Sequence, residues 1–186
     1  MKTYQMNTRK LTTLAMLAAL SIVFVWLIHF PIFPAAAYLE YDPADIPILI
    51  GTFAFGPLAG LLITVIAAVI QGLTVSASGG FYGIIMHIAA TGTFVLVAGN
   101  IYRLKKTHVR AAVALGCGVV AMAAVMAAAN LVVTPLFLGV PVSVVQKLIW
   151  PVIIPFNLIK AGINAVITFV IYKSVSRFIK RTGEAG

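Results

Sequence analysis

Three polar side chains stand in an apolar run near the end of the chain: Asn157, Lys160 and Asn164, within Phe156-Asn-Leu-Ile-Lys-Ala-Gly-Ile-Asn164. On a helix they fall within an arc of about 60° at 100° per residue. One face therefore offers a cation and two amides. Amides donate and accept in pairs, which matches a heteroaromatic ring with alternating C=O and N–H groups. A charge deep in a membrane helix costs about 2.5–3.5 kcal/mol on insertion scales, so such residues tend to face a cavity or a partner. Two plainer readings stay open. The amides can bond neighbouring helices, and the lysine stem can carry its ammonium to the membrane surface.

Other chemistries find little support. There is no Gly-x-x-x-x-Gly-Lys-Ser/Thr phosphate loop. His29, His87 and His108 have no metal-ligand spacing, and His87 in mid-helix reads more readily as a helix contact than as a ligand contact. No serine or cysteine has an evident base beside it. Cys117, in an Ala/Gly/Val-rich run, reads as an inert packing residue. Apart from Asp45 at the mouth of the second helix, no carboxylate falls inside a helical run, which argues against coupling to protons or sodium. A binding protein rather than an enzyme is expected, with no metal and no cofactor.

The elements that position these groups follow from composition. Of 186 residues, 62% are hydrophobic and 9% charged, against about 25% charged in a soluble domain. An all-α integral membrane protein of one domain, residues 1–186, is expected. The balance of 13 Lys+Arg against 4 Asp+Glu is basic, but the cations gather between apolar runs. That marks a cytoplasmic face rather than a nucleic-acid surface.

Six helices are predicted, at about 10–30, 44–55, 57–74, 81–102, 110–134 and 152–178. The first run is too long for a cleaved leader and reads as a membrane helix. Gly56-Pro57 divides the second apolar stretch, with a single kinked helix as the competing reading. Helix 2 would rise about 18 Å, short of a core about 30 Å thick, so it must pack inside protein or sit off-centre. Lys2, Arg9 and Lys10, the connector at 103–110, and Lys173, Arg177, Lys180 and Arg181 should share the cytoplasmic side. Both termini are then inside. The acidic 31–45 segment forms an extracellular loop between helices 1 and 2, and residues 135–151 form a second outer loop. Lys160 lies about 13 Å into the last helix from its outer end.

Around such a site, Phe33, Tyr38, Leu39, Tyr41, Phe81, Tyr82 and Trp150 can enclose a flat ring, although an interfacial aromatic belt explains any one of them equally simply.

Tyr38-Leu-Glu-Tyr-Asp-Pro-Ala-Asp-Ile-Pro47, Phe55-Gly-Pro-Leu-Ala-Gly60, Ser78-Gly-Gly-Phe-Tyr-Gly83 and Asn157-Leu-Ile-Lys160 together resemble the riboflavin-specific substrate-binding S component (RibU type) of energy-coupling factor (ECF) transporters. The resemblance spans nearly the whole chain and includes the six-helix plan. It implies high-affinity capture of riboflavin near the outer face of a bacterial cell membrane, under a lid loop. It also implies delivery inward by a shared module of one transmembrane scaffold and two ATPases. Asn130, Asn157 and Lys160 match its ring-binding positions, and Asn164 matches less closely. Tyr38, Leu39, Tyr41, Gly80 and Phe81 complete the expected binding set. Ala15 and Ala19 match the Ala-x-x-x-Ala surface that docks on the scaffold, with internal small-residue packing as the alternative. His87 departs from the asparagine-like residue expected there. Riboflavin is the expected transported ligand. FMN or another vitamin is the alternative. A lysine Schiff-base photoreceptor or membrane enzyme is a remote one, for want of a buried counter-ion.

Overall fold

The computed structural model describes residues 8–184, and the side chains of all of these except Ala35 and residues 176–186. Lys2, and the side chains of Arg177, Lys180 and Arg181 on which part of the expected orientation rests, lie outside the described set. The chain is all-α apart from one two-residue ribbon. Its elements are α1 (Thr8–Leu27), β1 (Phe30–Pro31), β2 (Glu40–Tyr41), α2 (Asp45–Phe55), α3 (Pro57–Leu73), α4 (Gly80–Leu104), α5 (His108–Leu138), α6 (Val142–Leu148) and α7 (Ile154–Glu184). Among the described residues, four helical stretches are long and apolar enough to cross a membrane: Thr8–Leu27, Ala77–Leu104, His108–Leu138 and Val142–Val175. With the shorter apolar helices α2 and α3 they make a multi-pass membrane protein. Exposed Leu58, Trp26, Val120 and Val170 show the outward face to be apolar, as lipid requires.

Proline and glycine chemistry explains the breaks. Gly56 takes φ 98°, which a side chain would disfavour, and its N–H closes α2 on Thr52 O at 2.8 Å. Pro57 then opens α3, where its missing N–H costs nothing. Residues Asp45 to Phe53 of α2 are all buried. A helix of 11 residues, about 17 Å long, is thus held inside protein. Phe53 stacks on Tyr102 of α4 with centroids 4.2 Å apart and meets Tyr172 of α7 edge-on. Helices approach closely where glycine allows it. A Cβ on Gly99 would stand 2.7 Å from Thr52 Cγ2 and 3.0 Å from Pro57 Cα. One on Gly118 would strike the Phe94 ring.

One stretch and one side chain differ from expectation. Residues 135–151 are not simply a loop. Helix α5 runs through Pro135 to Leu138 and ends at Gly139, which takes φ 66° and donates its N–H to Pro135 O. Helix α6 follows, and a wide π-helical turn at Ile149–Ile153 joins it to α7. Pro151 explains the widening, because it has no N–H to offer the carbonyl one turn back. The sequence hid α6 because seven residues between Pro141 and Pro151 carry too little periodicity to register. Cys117, expected as a packing residue, is exposed on α5.

The segment between α1 and α2 folds as a small cover. β1 pairs antiparallel with β2, Phe30 opposite Tyr41 and Pro31 opposite Glu40. A 3-10 turn, Pro34–Ala36, lies between them. Ala36 and Leu39 of this cover pack on Val145 of α6 and on Val152, Ile153 and Phe156. Helix α6 and the wide turn therefore form the seat on which the cover rests.

Candidate functional site

A cavity of about 630 Å³ lies beneath the cover, lined by Tyr38, Leu39 and Glu40 above and by α3, α4, α5 and α7 around it. Its walls are mostly apolar. Met86, Met122, Met126, Phe137, Tyr82 and Phe156 contribute. Polar groups enter from several elements: Gln71 from α3, His87 and Thr91 from α4, Asn130 and Thr134 from α5, and Asn157 and Lys160 from α7. This is the usual make-up of a small-molecule site, apolar walls with few convergent polar atoms.

Lys160 does reach the cavity, but its charge is balanced differently from expectation. The sequence points to the amides on the lysine's own helix face as its polar company. Instead Lys160 Nζ lies 2.6 Å from Asp42 Oδ2 and donates to Glu40 O at 3.3 Å. Burial alone would raise the Asp42 carboxyl. The Lys160 ammonium, with the Ala44 N–H bonded to Asp42 Oδ1 at 3.0 Å, outweighs that and holds it below its ordinary value. Burial pushes the Tyr38 phenol upward, so it stays a neutral hydroxyl.

Asn164 works behind the cavity rather than in it. Its Nδ2 donates to Asp42 O and to Asp45 Oδ2, both at 3.0 Å, and its Oδ1 accepts from the Tyr41 hydroxyl at 3.2 Å. Asp45 Oδ1 accepts from Thr91 Oγ1 at 2.6 Å. The network knits cover, α2, α4 and α7 together. Asn130 and Asn157 each spend one amide N–H on the carbonyl four residues back, at 2.8 Å, and Thr134 donates to Asn130 Oδ1 at 2.7 Å. These bonds fix the amides' orientation.

Of the residues expected around a ligand, Tyr38, Leu39, Tyr82, Asn130, Asn157 and Lys160 line the cavity, whereas Phe33 and Trp150 do not. Four others also stay out of it. Tyr41 and Asn164 are turned into the supporting network. Gly80, with φ 50°, starts α4 beside the mouth. Phe81 is 71% exposed, because the helix phase set at Gly80 turns Tyr82 and Gly83 inward in its place. Ala15 and Ala19 lie exposed on α1, while Leu14, Leu17 and Ala18 face the core.

The sequence reading missed Asp42, Asp45, Gln71 and Thr91. A signal for the first two existed: three of the chain's four acids cluster at 40–45, opposite a lone intramembrane cation that needed a partner. Among the described residues, no cluster of three or more His, Cys, Asp or Glu side chains is arranged to hold a metal.

A covered, largely apolar cavity inside a multi-pass helical bundle defines a membrane protein built to enclose a small solute. Residues 9–172 match the family described as ECF transporter, substrate-specific component, and the chain belongs to it. It is 29% identical over 181 residues to the riboflavin transporter RibU of Staphylococcus aureus, covering 94% of each chain. It is 28% identical to the riboflavin transporter FmnP of Bacillus subtilis, covering 97% of this chain and 98% of that one. A solved structure, described as that of the S component of a bacterial ECF transporter, superposes with a TM-score of 0.80 at 29% identity, over 93% of this chain and 98% of that one. The family's members are transporter components and serve vitamin uptake.

Proposed function

We propose that the chain captures riboflavin with high affinity at the outer face of a bacterial plasma membrane and passes it inward with a separate ATP-driven module. The observation that carries this reading is the cavity. At about 630 Å³ it falls within the range that encloses drug-sized ligands. Its aromatic and thioether walls suit a flat tricyclic ring, and Asn130, Asn157 and Lys160 suit the ring's polar edge. The names of the two relatives support the choice of ligand.

An unphosphorylated flavin fits better than FMN. The charged residues in the lining are Glu40, Asp42 and Lys160, and the one ammonium is already paired. A phosphate would therefore meet more negative than positive charge. The Schiff-base alternative was set aside for lack of a counter-ion. Asp42 supplies one, so membership of a transporter family now weighs against that reading instead.

A cytoplasmic assignment of both termini is supported by Arg103, Lys105, Lys106 and Arg110, which lie at the end of the bundle away from the cover. The Ala15/Ala19 face is assigned to docking on a scaffold subunit that works with two ATPases. Its exposure supports this, since both alanines lie on the outward face of α1. The test is an absorption and fluorescence titration of detergent-purified protein with riboflavin. One flavin per chain, with its fluorescence quenched, is the expected result; no quenching at micromolar flavin overturns the reading.

A further inference from the structure

The cavity lining includes a second set of polar groups: Gln71 of α3, His87 of α4 and Tyr38 of the cover. Gln71 Nε2, His87 Nε2 and the Tyr38 hydroxyl are each shut off from solvent, and none has a hydrogen-bond partner among the described residues. Gln71 as a whole is only 5% exposed. Native folds pair nearly all such atoms. Three exceptions around one void mark groups whose partners enter with the ligand.

Those partners must answer an amide N–H that only donates, an imidazole nitrogen that donates or accepts by tautomer, and a phenol that does either. An alcohol hydroxyl both donates and accepts, so it can answer all three. A phosphate suits them poorly, because no unpaired cation accompanies them in the lining. We propose that Gln71 and His87 hold the hydroxylated chain of the ligand, while Asn130, Asn157 and Lys160 hold its ring. The inference rests on the flavin reading and adds to it the residues that recognise the part of the molecule beyond the ring.

The test compares two ligands on the full chain in detergent. Riboflavin carries the hydroxylated chain. Lumiflavin has the same ring with a methyl group in its place. Gln71→Leu and His87→Leu should each weaken riboflavin binding by about tenfold, the worth of a hydrogen bond, and leave lumiflavin within about twofold. The unfolding midpoint of the ligand-free variants should not fall, since each change removes an unpaired buried group. Gln71→Met, nearer in shape, replaces Gln71→Leu if that variant does not fold. Equal losses for both ligands, or no loss for riboflavin, overturn the proposal. Wild-type protein that binds neither flavin overturns the flavin reading itself, and this inference with it. Wild-type binding with unresponsive variants overturns the assignment of Gln71 and His87 alone.

Discussion

Lys160 Nζ and Asp42 Oδ2 stand 2.6 Å apart although 118 residues separate them in the chain. One belongs to the last helix and the other to the segment that covers the cavity. Each side chain is only 11% exposed. In surroundings of low dielectric the pair is strong once formed and costly to leave half-made. It fastens the cover to the bundle at the edge where a ligand must sit.

Breaking the pair from one side should therefore cost more than removing it. Asp42→Asn or Lys160→Met alone should destabilise the protein by about 3–5 kcal/mol, the usual cost of an uncompensated buried charge. The double variant should recover a large part of that. Chemical or thermal unfolding of the four proteins in detergent gives the coupling directly. Additive losses would show the pair to be energetically idle.

The same pair predicts a pH dependence with a definite sign. The folded pKa of Asp42 lies below its ordinary 3.8. Its contribution to stability is therefore fully present above that ordinary value and disappears as pH falls through the depressed one. Between about pH 5 and pH 7 the contribution of this group should be flat, with a loss only on the acid side of the carboxylate range. Asp42→Asn should remove that acid limb from the stability profile. A limb unchanged in the variant would assign it to another group.

Asn164 and Phe81 should behave in opposite ways. Asn164→Leu leaves Tyr41, Asp42 and Asp45 each short of a partner, at about 1–3 kcal/mol for a buried group left unsatisfied. Stability should fall, and flavin affinity should fall through loosening of the cover. Phe81→Ala should change affinity less than about twofold, because the ring is exposed. Tyr82→Ala, which opens the cavity wall, should cost more. Titration with riboflavin ranks the three.

If the exposed alanines of α1 dock on a scaffold as proposed, changes there should separate capture from delivery. Ala15→Trp and Ala19→Trp should leave flavin binding by the isolated chain unchanged, since neither residue faces the cavity. They should abolish co-purification with a scaffold subunit and reduce uptake by cells at least about tenfold, because small-residue interfaces tolerate no added bulk. Uptake at the wild-type rate would move the docking surface elsewhere.

Local chemistry made some of this legible in the sequence and left the rest hidden. The break at Gly56-Pro57 could be read because proline and glycine act on their own backbone. The inward arc of Asn157 and Lys160 could be read because a helix fixes it. Asn164 shares that arc, yet it serves the network behind the cavity, since where a side chain ends depends on what packs against its helix. Phe81 and Tyr82 could not be told apart, because the turn at Ala77–Gly79 sets the phase of α4. The role of Asp42 depends on a contact across 118 positions, which no local pattern encodes. Gln71 is a single polar residue in the last turn of α3, and only the cavity gives it a direction.

The wide turn at Ile149–Ile153 acts as an index mark for everything after it. Each residue added to or removed from a helix rotates the remainder by about 100°. Were α6 to run straight into α7 with one residue fewer, Asn157, Lys160 and Asn164 would swing together toward a neighbouring helix or the lipid. Thus a proline that donates no hydrogen bond, at position 151, sets the compass bearing of an amine nine residues later.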